Sequence, residues 1–173
     1  MQKKVIVVMG VSGVGKTSVA LGIARQLGAI YVEADDFHPQ KNVDAMRAGI
    51  PLTDEMRHPW LTALAEGIAD TQAAQDGQVV VAACSALKKS YRDTLRDRLP
   101  DVFFVHLHGD QHKIEGRMSA RTDHFMPSSL LDSQFATLEP PNRDEASCTV
   151  DVSGSKSETI DKALRLLPEE FLC

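Results

Sequence analysis

The chain has no long basic run, and its net charge is −5. That excludes a nucleic-acid partner held by bulk electrostatics. It leaves room for a small anionic substrate, which needs only a few local cations. No apolar run approaches the length that spans a bilayer, so no membrane partner is expected. Cysteine is sparse: Cys84, Cys148 and Cys173 are odd in number and form no CxxC pair. Such thiols are expected to stay reduced, in a cytoplasmic protein. Cys84 follows an apolar run and reads as a small buried hydrophobe, not a nucleophile. The chain enters its first strand within about four residues, which leaves no room for a signal peptide. Repeats, linkers and low-complexity segments are absent. At 173 residues, with ordinary apolar and charged fractions, the chain is expected to form one domain, 1–173.

What the chain does contain is one organising loop. Gly10-Val11-Ser12-Gly13-Val14-Gly15-Lys16-Thr17 reads G-x-x-x-x-G-K-[ST]. Glycines let backbone N–H groups turn inward and form a nest for anionic oxygens. Lys16 brings a point charge to β- and γ-phosphates, and Thr17 offers a hydroxyl to Mg²⁺. Gly10 to Thr17, with Ser18 behind them, are the expected nucleotide contacts. Val5 to Met9 form a continuous apolar run, the mark of a strand buried on both faces. Val19, Ala20, Ile23, Ala24 and Leu27 recur at helical spacing and stop at Gly28, a residue suited to end a helix. The loop therefore joins a strand to a helix N-terminus, where backbone and dipole both favour phosphate.

Four more strands are expected, at 30–32, 79–84, 102–107 and 148–152, with helical spacing between them. That alternation gives an α/β fold with a five-stranded parallel sheet and helices on both faces. The run Glu33-Ala34-Asp35-Asp36-Phe37-His38-Pro39 follows the second strand, on the ligand-binding edge of such a sheet. Asp35 is the expected proton acceptor for a substrate hydroxyl. Asp36 either holds a Mg²⁺ water or caps the next segment. The polar stretch from Asn42 to Leu61 is long for a connection, and such insertions often carry function. Arg57 within it is a candidate anion contact, with Asp54 as its alternative partner. Pro59 is expected to open a helix whose face is Trp60, Leu61, Leu64, Ala65 and Ile68.

Lys88 and Arg92 lie four residues apart at the start of a later helix. Basic residues there oppose the dipole, which suggests an anionic ligand nearby. The alternative is a solvated basic stripe with Lys89 and Arg96. Arg117 and Arg121 are one turn apart, ahead of the breaker Thr122 to Pro127 and a helix carrying Leu131, Phe135 and Leu138. Paired cations opening a helical hairpin fit a lid, at about 121–139, that closes over the phosphates. His106 and His108 share a strand face, but no ligand cluster completes a metal set. Ser155 and Glu158 form a capping box before the closing helix.

Several separate blocks together resemble the bacterial-type gluconokinases, small P-loop kinases that phosphorylate D-gluconate at O6. They are the phosphate loop, Asp35 to Pro39, Gly49 to Asp54, Pro59-Trp60-Leu61, Cys84 to Lys88 with Tyr91-Arg92-Asp93, and His124-Phe125-Met126-Pro127 with Ser133-Gln134-Phe135. The resemblance runs from Met9 to about Pro140 and is most specific in the Cys84 and His124 blocks. It implies a three-layer P-loop kinase fold with the strand order of nucleoside monophosphate kinases. It also implies a helical lid, ATP with Mg²⁺, D-gluconate as substrate, and commonly a homodimer. By that resemblance Asp35, His38, Arg57, Lys88, Arg92 and His124 are acceptor contacts. Lys16, Asp35, Arg117 and Arg121 carry the transfer, and Thr17 and Asp36 attend the metal. The chain departs from the family pattern at Val14, Ala34, Ala45 and Met56. A kinase for another hydroxy acid, such as shikimate, would need that family's own acceptor motifs, which are not seen. A nucleotide switch is the reading from another class. The N-K-x-D signature of guanine specificity is absent, and the D-x-x-G match at Asp151 to Gly154 sits at the last strand. Turnover with gluconate separates a kinase from a non-catalytic nucleotide-binding regulator.

Overall fold

The computed structural model describes residues 4–119 and 129–172. Its sheet has five parallel strands: β1 (Val5–Met9), β2 (Ile30–Glu33), β3 (Val80–Ala83), β4 (Val102–His108) and β5 (Ser147–Asp151). They lie in the order β2-β3-β1-β4-β5. All five residues of β1 are fully buried, because parallel neighbours take its backbone groups on both sides and helices cover both faces. The register aligns Glu33 with Ala83, Ala83 with Val8, and Val8 with Val105. The strands therefore end level, and the loops after β1, β2 and β3 gather at one carboxyl edge, where an open α/β sheet binds its ligands.

Helix α1 (Lys16–Leu27) ends at Gly28, which is left-handed at φ 61° and donates its N–H to Ala24 and Arg25 carbonyls, as the spacing requires. Helix α7 (Lys156–Leu166) packs on α1 and starts at Ser155, whose hydroxyl accepts the Glu158 N–H at 3.1 Å. The other helices are α2 (Gln40–Arg47), α3 (Asp54–Ala74), α4 (Lys89–Arg98), α5 (Gln111–Ser119) and α6 (Ser129–Thr137). Among the described residues no helix is long and apolar enough to cross a membrane.

The stretch from Asn42 to Leu61 is more regular than its composition suggests. It contains most of α2 and the first turns of α3, and α3 begins at Asp54, not at Pro59. Thr53 caps α3 by accepting the Met56 N–H at 3.2 Å, and Asp54 and Glu55 suit the positive end of the dipole. Pro59 costs this helix only the bond its missing N–H would have made to Glu55. Asp36 does not cap α2, which is entered from Pro39 without a side-chain cap. Instead Glu33 caps a single 3₁₀ turn, Ala34–Phe37, by accepting the Asp35 N–H at 3.4 Å. That turn sits flat on α3 because residue 67 is glycine: a Cβ there would come within 2.5 Å of the Phe37 ring.

His106 is buried in β4, and neither ring nitrogen has a hydrogen-bond partner among the described residues. Burial, with help from His108 and Arg92, holds its pKa down to about 4. An unfolded histidine titrates near 6.5, so the unfolded state binds a proton first as pH falls. The native state therefore keeps its full advantage above pH 6.5 and loses it between 6.5 and about 4. At about 1.4 kcal/mol per pKa unit, roughly 2 kcal/mol should be gone by pH 5. Urea midpoints at pH 7 and pH 5 test this. His106→Leu should remove that share of the dependence, leaving the part set by other depressed histidines such as His38. An unchanged slope in that variant would show that His106 does not contribute.

Candidate active site

The first element of the site is the loop after β1. Gly10 has φ 148°, and a Cβ on it would meet the Leu107 carbonyl oxygen at 2.8 Å. Only glycine lets the loop leave the sheet this close to β4. The Gly10 N–H donates to the Ser85 carbonyl at 3.2 Å, which ties the phosphate loop to the loop after β3. Gly15, left-handed at φ 101°, enters α1 with no side-chain cap, so the first N–H groups of that helix face the loop. Lys16 is half-buried and donates from Nζ to the Val11 carbonyl at 3.0 Å. Burial pushes its pKa down, against the opposing pull of Asp35, Cys84 and Glu33.

Two hollows meet at Lys16. A cleft open toward α2 and α3 is lined by Lys16, Glu33, Asp35, His38, Arg57, Trp60, Ser85 and Gln134, among others. A more polar recess is lined by Ser12, Gly13, Gly15 to Ser18, Glu33 and Asp35. Farther along, Gly13 to Gly15, Ser18, Arg117, Val152, Gly154 and Lys156 line a third hollow, suited to the rest of a nucleotide. Arg117 donates from Nη2 to the Val152 carbonyl at 2.9 Å, so it braces the nucleotide side wall.

The carboxylate beside Thr17 is Glu33, which belongs to no motif in the sequence. Thr17 Oγ1 donates to Glu33 Oε2 at 2.9 Å, and the Tyr31 hydroxyl donates to the same oxygen. Asp36, the expected metal residue, is exposed and lines neither the cleft nor the recess. The reason is the 3₁₀ turn: about 120° of rotation per residue sends Asp36 away from the direction Asp35 takes. Among the described residues no three His, Cys, Asp or Glu side chains converge as a metal cage.

The cations sort differently from their spacing. Arg57 lines the cleft, donating from Nη1 to the Leu52 carbonyl at 2.7 Å and the Tyr91 hydroxyl at 2.9 Å. Asp54 pairs instead with Lys88 at 3.2 Å and accepts from Tyr91, whose hydrogen bond, with that of Lys88, lowers the Asp54 pKa. Lys88 stands outside the lining of the cleft. Arg92 must be withdrawn as an anion contact. It is fully buried, paired with Glu145 at 2.6 Å, and donates from Nη1 to the Ala86 and Leu87 carbonyls. Its charge is consumed in holding the loop around Ala86, a non-glycine residue at φ 44°.

A family model described as an AAA domain matches residues 5–141. The chain is 46% identical over 157 residues to the gluconokinase of Gluconobacter oxydans, covering 90% of this chain and 85% of that protein. It is 43% identical over 146 residues to the thermoresistant gluconokinase of Escherichia coli, covering 84% and 82%. A solved gluconokinase from Sinorhizobium meliloti superposes with a TM-score of 0.84 at 46% identity, over 95% of this chain and 91% of that one. This chain belongs to the gluconokinase family.

In this gluconokinase-family chain helix α6 reaches back to the phosphate loop. The Ser12 N–H donates to Gln134 Oε1 at 2.6 Å. The chain just after α6 is tied to α4, with the Glu139 N–H on the Leu87 carbonyl and the Lys89 N–H on Glu139 Oε1. Arg121 and His124 lie outside the described residues. Cys84 is buried at the cleft floor with its thiol pushed up to about 12, which suits packing and not nucleophilic chemistry. His38 stacks on Trp60 with ring centroids 4.0 Å apart, and Trp60 Nε1 donates to the Ala34 carbonyl at 2.7 Å. Burial first, and then Arg57, hold the His38 pKa down to about 4.

Proposed function

We propose that this chain transfers the γ-phosphoryl group of ATP to O6 of D-gluconate, giving 6-phospho-D-gluconate and ADP. One observation carries the reading: Ser12, Lys16, Glu33 and Asp35 line both the acceptor cleft and the phosphate recess. A phosphate seated on the glycine loop would then face a hydroxyl seated at Asp35, with Lys16 at their junction. Phosphoryl transfer asks the protein mainly for positioning and charge stabilisation, and this common wall provides both. Asp35 accepts the hydroxyl proton. Arg117 and Arg121 are proposed to act as the lid closes, and His124 as an acceptor contact.

The donor set fits a hard cation, because the Thr17 hydroxyl and the Glu33 carboxylate present adjacent oxygens in the recess. These two residues would hold Mg²⁺, which when bound neutralises charge on the β- and γ-phosphates. The family resemblance supports a homodimer. Cys84 and Cys148 are both free, which fits a reducing, cytoplasmic setting.

The gluconate carboxylate is assigned to Arg57. Its Nη1 is spent on Leu52 and Tyr91, which fixes the plane of the guanidinium. Nη2 and Nε have no protein acceptor among the described residues. A planar fork binds a carboxylate through two bonds that an ammonium cannot copy. Arg57→Lys should raise the gluconate KM about tenfold or more, on the scale of one charged hydrogen bond, and leave the ATP KM within about twofold. Equal rises in both would remove Arg57 from the acceptor site.

A coupled assay for ADP release, run over gluconate, shikimate, other sugar acids and uncharged hexoses, tests the function itself. Gluconate should lead an uncharged hexose by about 10²-fold or more in kcat/KM, because the hexose leaves the half-buried Arg57 guanidinium without its carboxylate partner. Equal rates with an uncharged hexose would overturn the reading.

A further inference from the structure

Asn42 is fully buried, and its Nδ2 sits 3.0 Å from the Met56 carbonyl oxygen and 3.2 Å from His38 Nδ1. A carbonyl oxygen only accepts, so the atom facing Met56 must be the amide nitrogen; a flipped amide would set oxygen against oxygen. The same nitrogen faces His38 Nδ1, so Nδ1 is an acceptor and carries no proton. A neutral imidazole has one N–H, which must then be on Nε2. Trp60 stacks on the ring face and stops it from turning. That leaves the N–H on Nε2, on the side of the ring near Asp35, with Nε2 3.7 Å from Asp35 Oδ1. The separation is too long for a direct hydrogen bond, yet one oxygen placed about 2.8 Å from each would bridge them. His38 and Asp35 both line the acceptor cleft, so the bridging oxygen can be a substrate hydroxyl.

We propose that His38, held as the Nε2–H tautomer by Asn42, donates a hydrogen bond to the acceptor hydroxyl whose proton goes to Asp35. The inference rests on the acceptor reading given above and adds a second partner for the reacting oxygen. A hydroxyl oxygen has four directions. Carbon takes one, the proton points to Asp35, and one lone pair accepts from His38. A single lone pair is left, and it points at phosphorus. The O6–P bond forms as the bond from phosphorus to the β,γ-bridging oxygen breaks. That electron pair leaves with ADP, the O6 proton passes to Asp35, and His38 keeps its own proton throughout. Asn42 is a positioning residue, since it acts only through the ring.

Two measurements decide the proposal. The first is the tautomer of His38, read by long-range ¹H–¹⁵N NMR on the ¹⁵N-histidine-labelled wild-type enzyme. The neutral Nε2–H form is expected at pH 7, and either the Nδ1–H form or an imidazolium would overturn it. The second compares two substitutions. His38→Phe keeps the stack on Trp60 but removes the donor, and His38→Gln returns an N–H near the Nε2 position. A misoriented nucleophile costs about 10²-fold, so His38→Phe should lose kcat on that scale with the dissociation constant for ATP unchanged. His38→Gln should recover most of the loss. A His38→Phe enzyme within threefold of wild type would sink the idea, as would a His38→Gln enzyme no better than His38→Phe. If the wild type turns over another hydroxy acid in place of gluconate, only the substrate reading fails. The same two measurements, made with that acceptor, still decide the role of His38.

Discussion

Asp35→Asn should cut kcat by about 10²- to 10⁴-fold, the usual range for loss of a general base, with ATP affinity little changed. The substitution keeps the shape of the side chain and removes the charge and the proton acceptor. A primary hydroxyl is a poor nucleophile at neutral pH, so its proton needs a destination as the bond to phosphorus forms. Asp35 is exposed at the wall common to the two hollows, where both the hydroxyl and the γ-phosphate can reach it. Asp36, turned away by the 3₁₀ geometry, serves as the internal control, and Asp36→Asn should stay near wild type. Steady-state kinetics of the two variants, with nucleotide binding measured separately, check this. A large loss in Asp36→Asn beside a nearly normal Asp35→Asn would exchange the two roles.

Lys16→Ala should reduce turnover by 10²-fold or more, about 3 kcal/mol, as expected when a preorganised cation is removed from developing phosphoryl charge. Its fold should be unaffected. The ammonium group makes one bond, to the Val11 carbonyl, and its pKa is held down by burial. The charged form is thus disfavoured where it sits, and deleting it removes no net stabilising contact. Turnover measured alongside a thermal melt separates the two effects. An unchanged melt with half the wild-type rate retained would refute the role of the loop.

The phosphate loop was legible because its geometry is local. Eight consecutive residues contain the turn, the nest and the lysine, and the strand before and helix after are marked by their own spacing. Alternating apolar runs and helical faces likewise specify a parallel α/β sheet. The start of α3 was harder to read, since Pro59 is a strong helix-start signal and the Thr53 cap a weaker one. Spacing alone made Lys88 and Arg92 look equivalent. They part company because Glu145, 53 positions beyond Arg92, claims that guanidinium in the interior. A buried charge this well paired is costly to break, on the order of 3–5 kcal/mol if one partner is lost, and it is not offered to a ligand.

The sequence by itself determined the class of chemistry, since a phosphate nest and its lysine are written in neighbouring residues. It also determined the layering of the sheet, since hydrophobic period follows directly from strand and helix geometry. Tertiary structure decided which charges serve the site. Glu33 meets Thr17 across 16 positions, Asp54 takes Lys88 across 34, and Asn42 receives its orientation from Met56 across 14. A side chain's role depends on what it touches after folding. Those contacts come from level strand ends and packed helices that no local window of sequence contains.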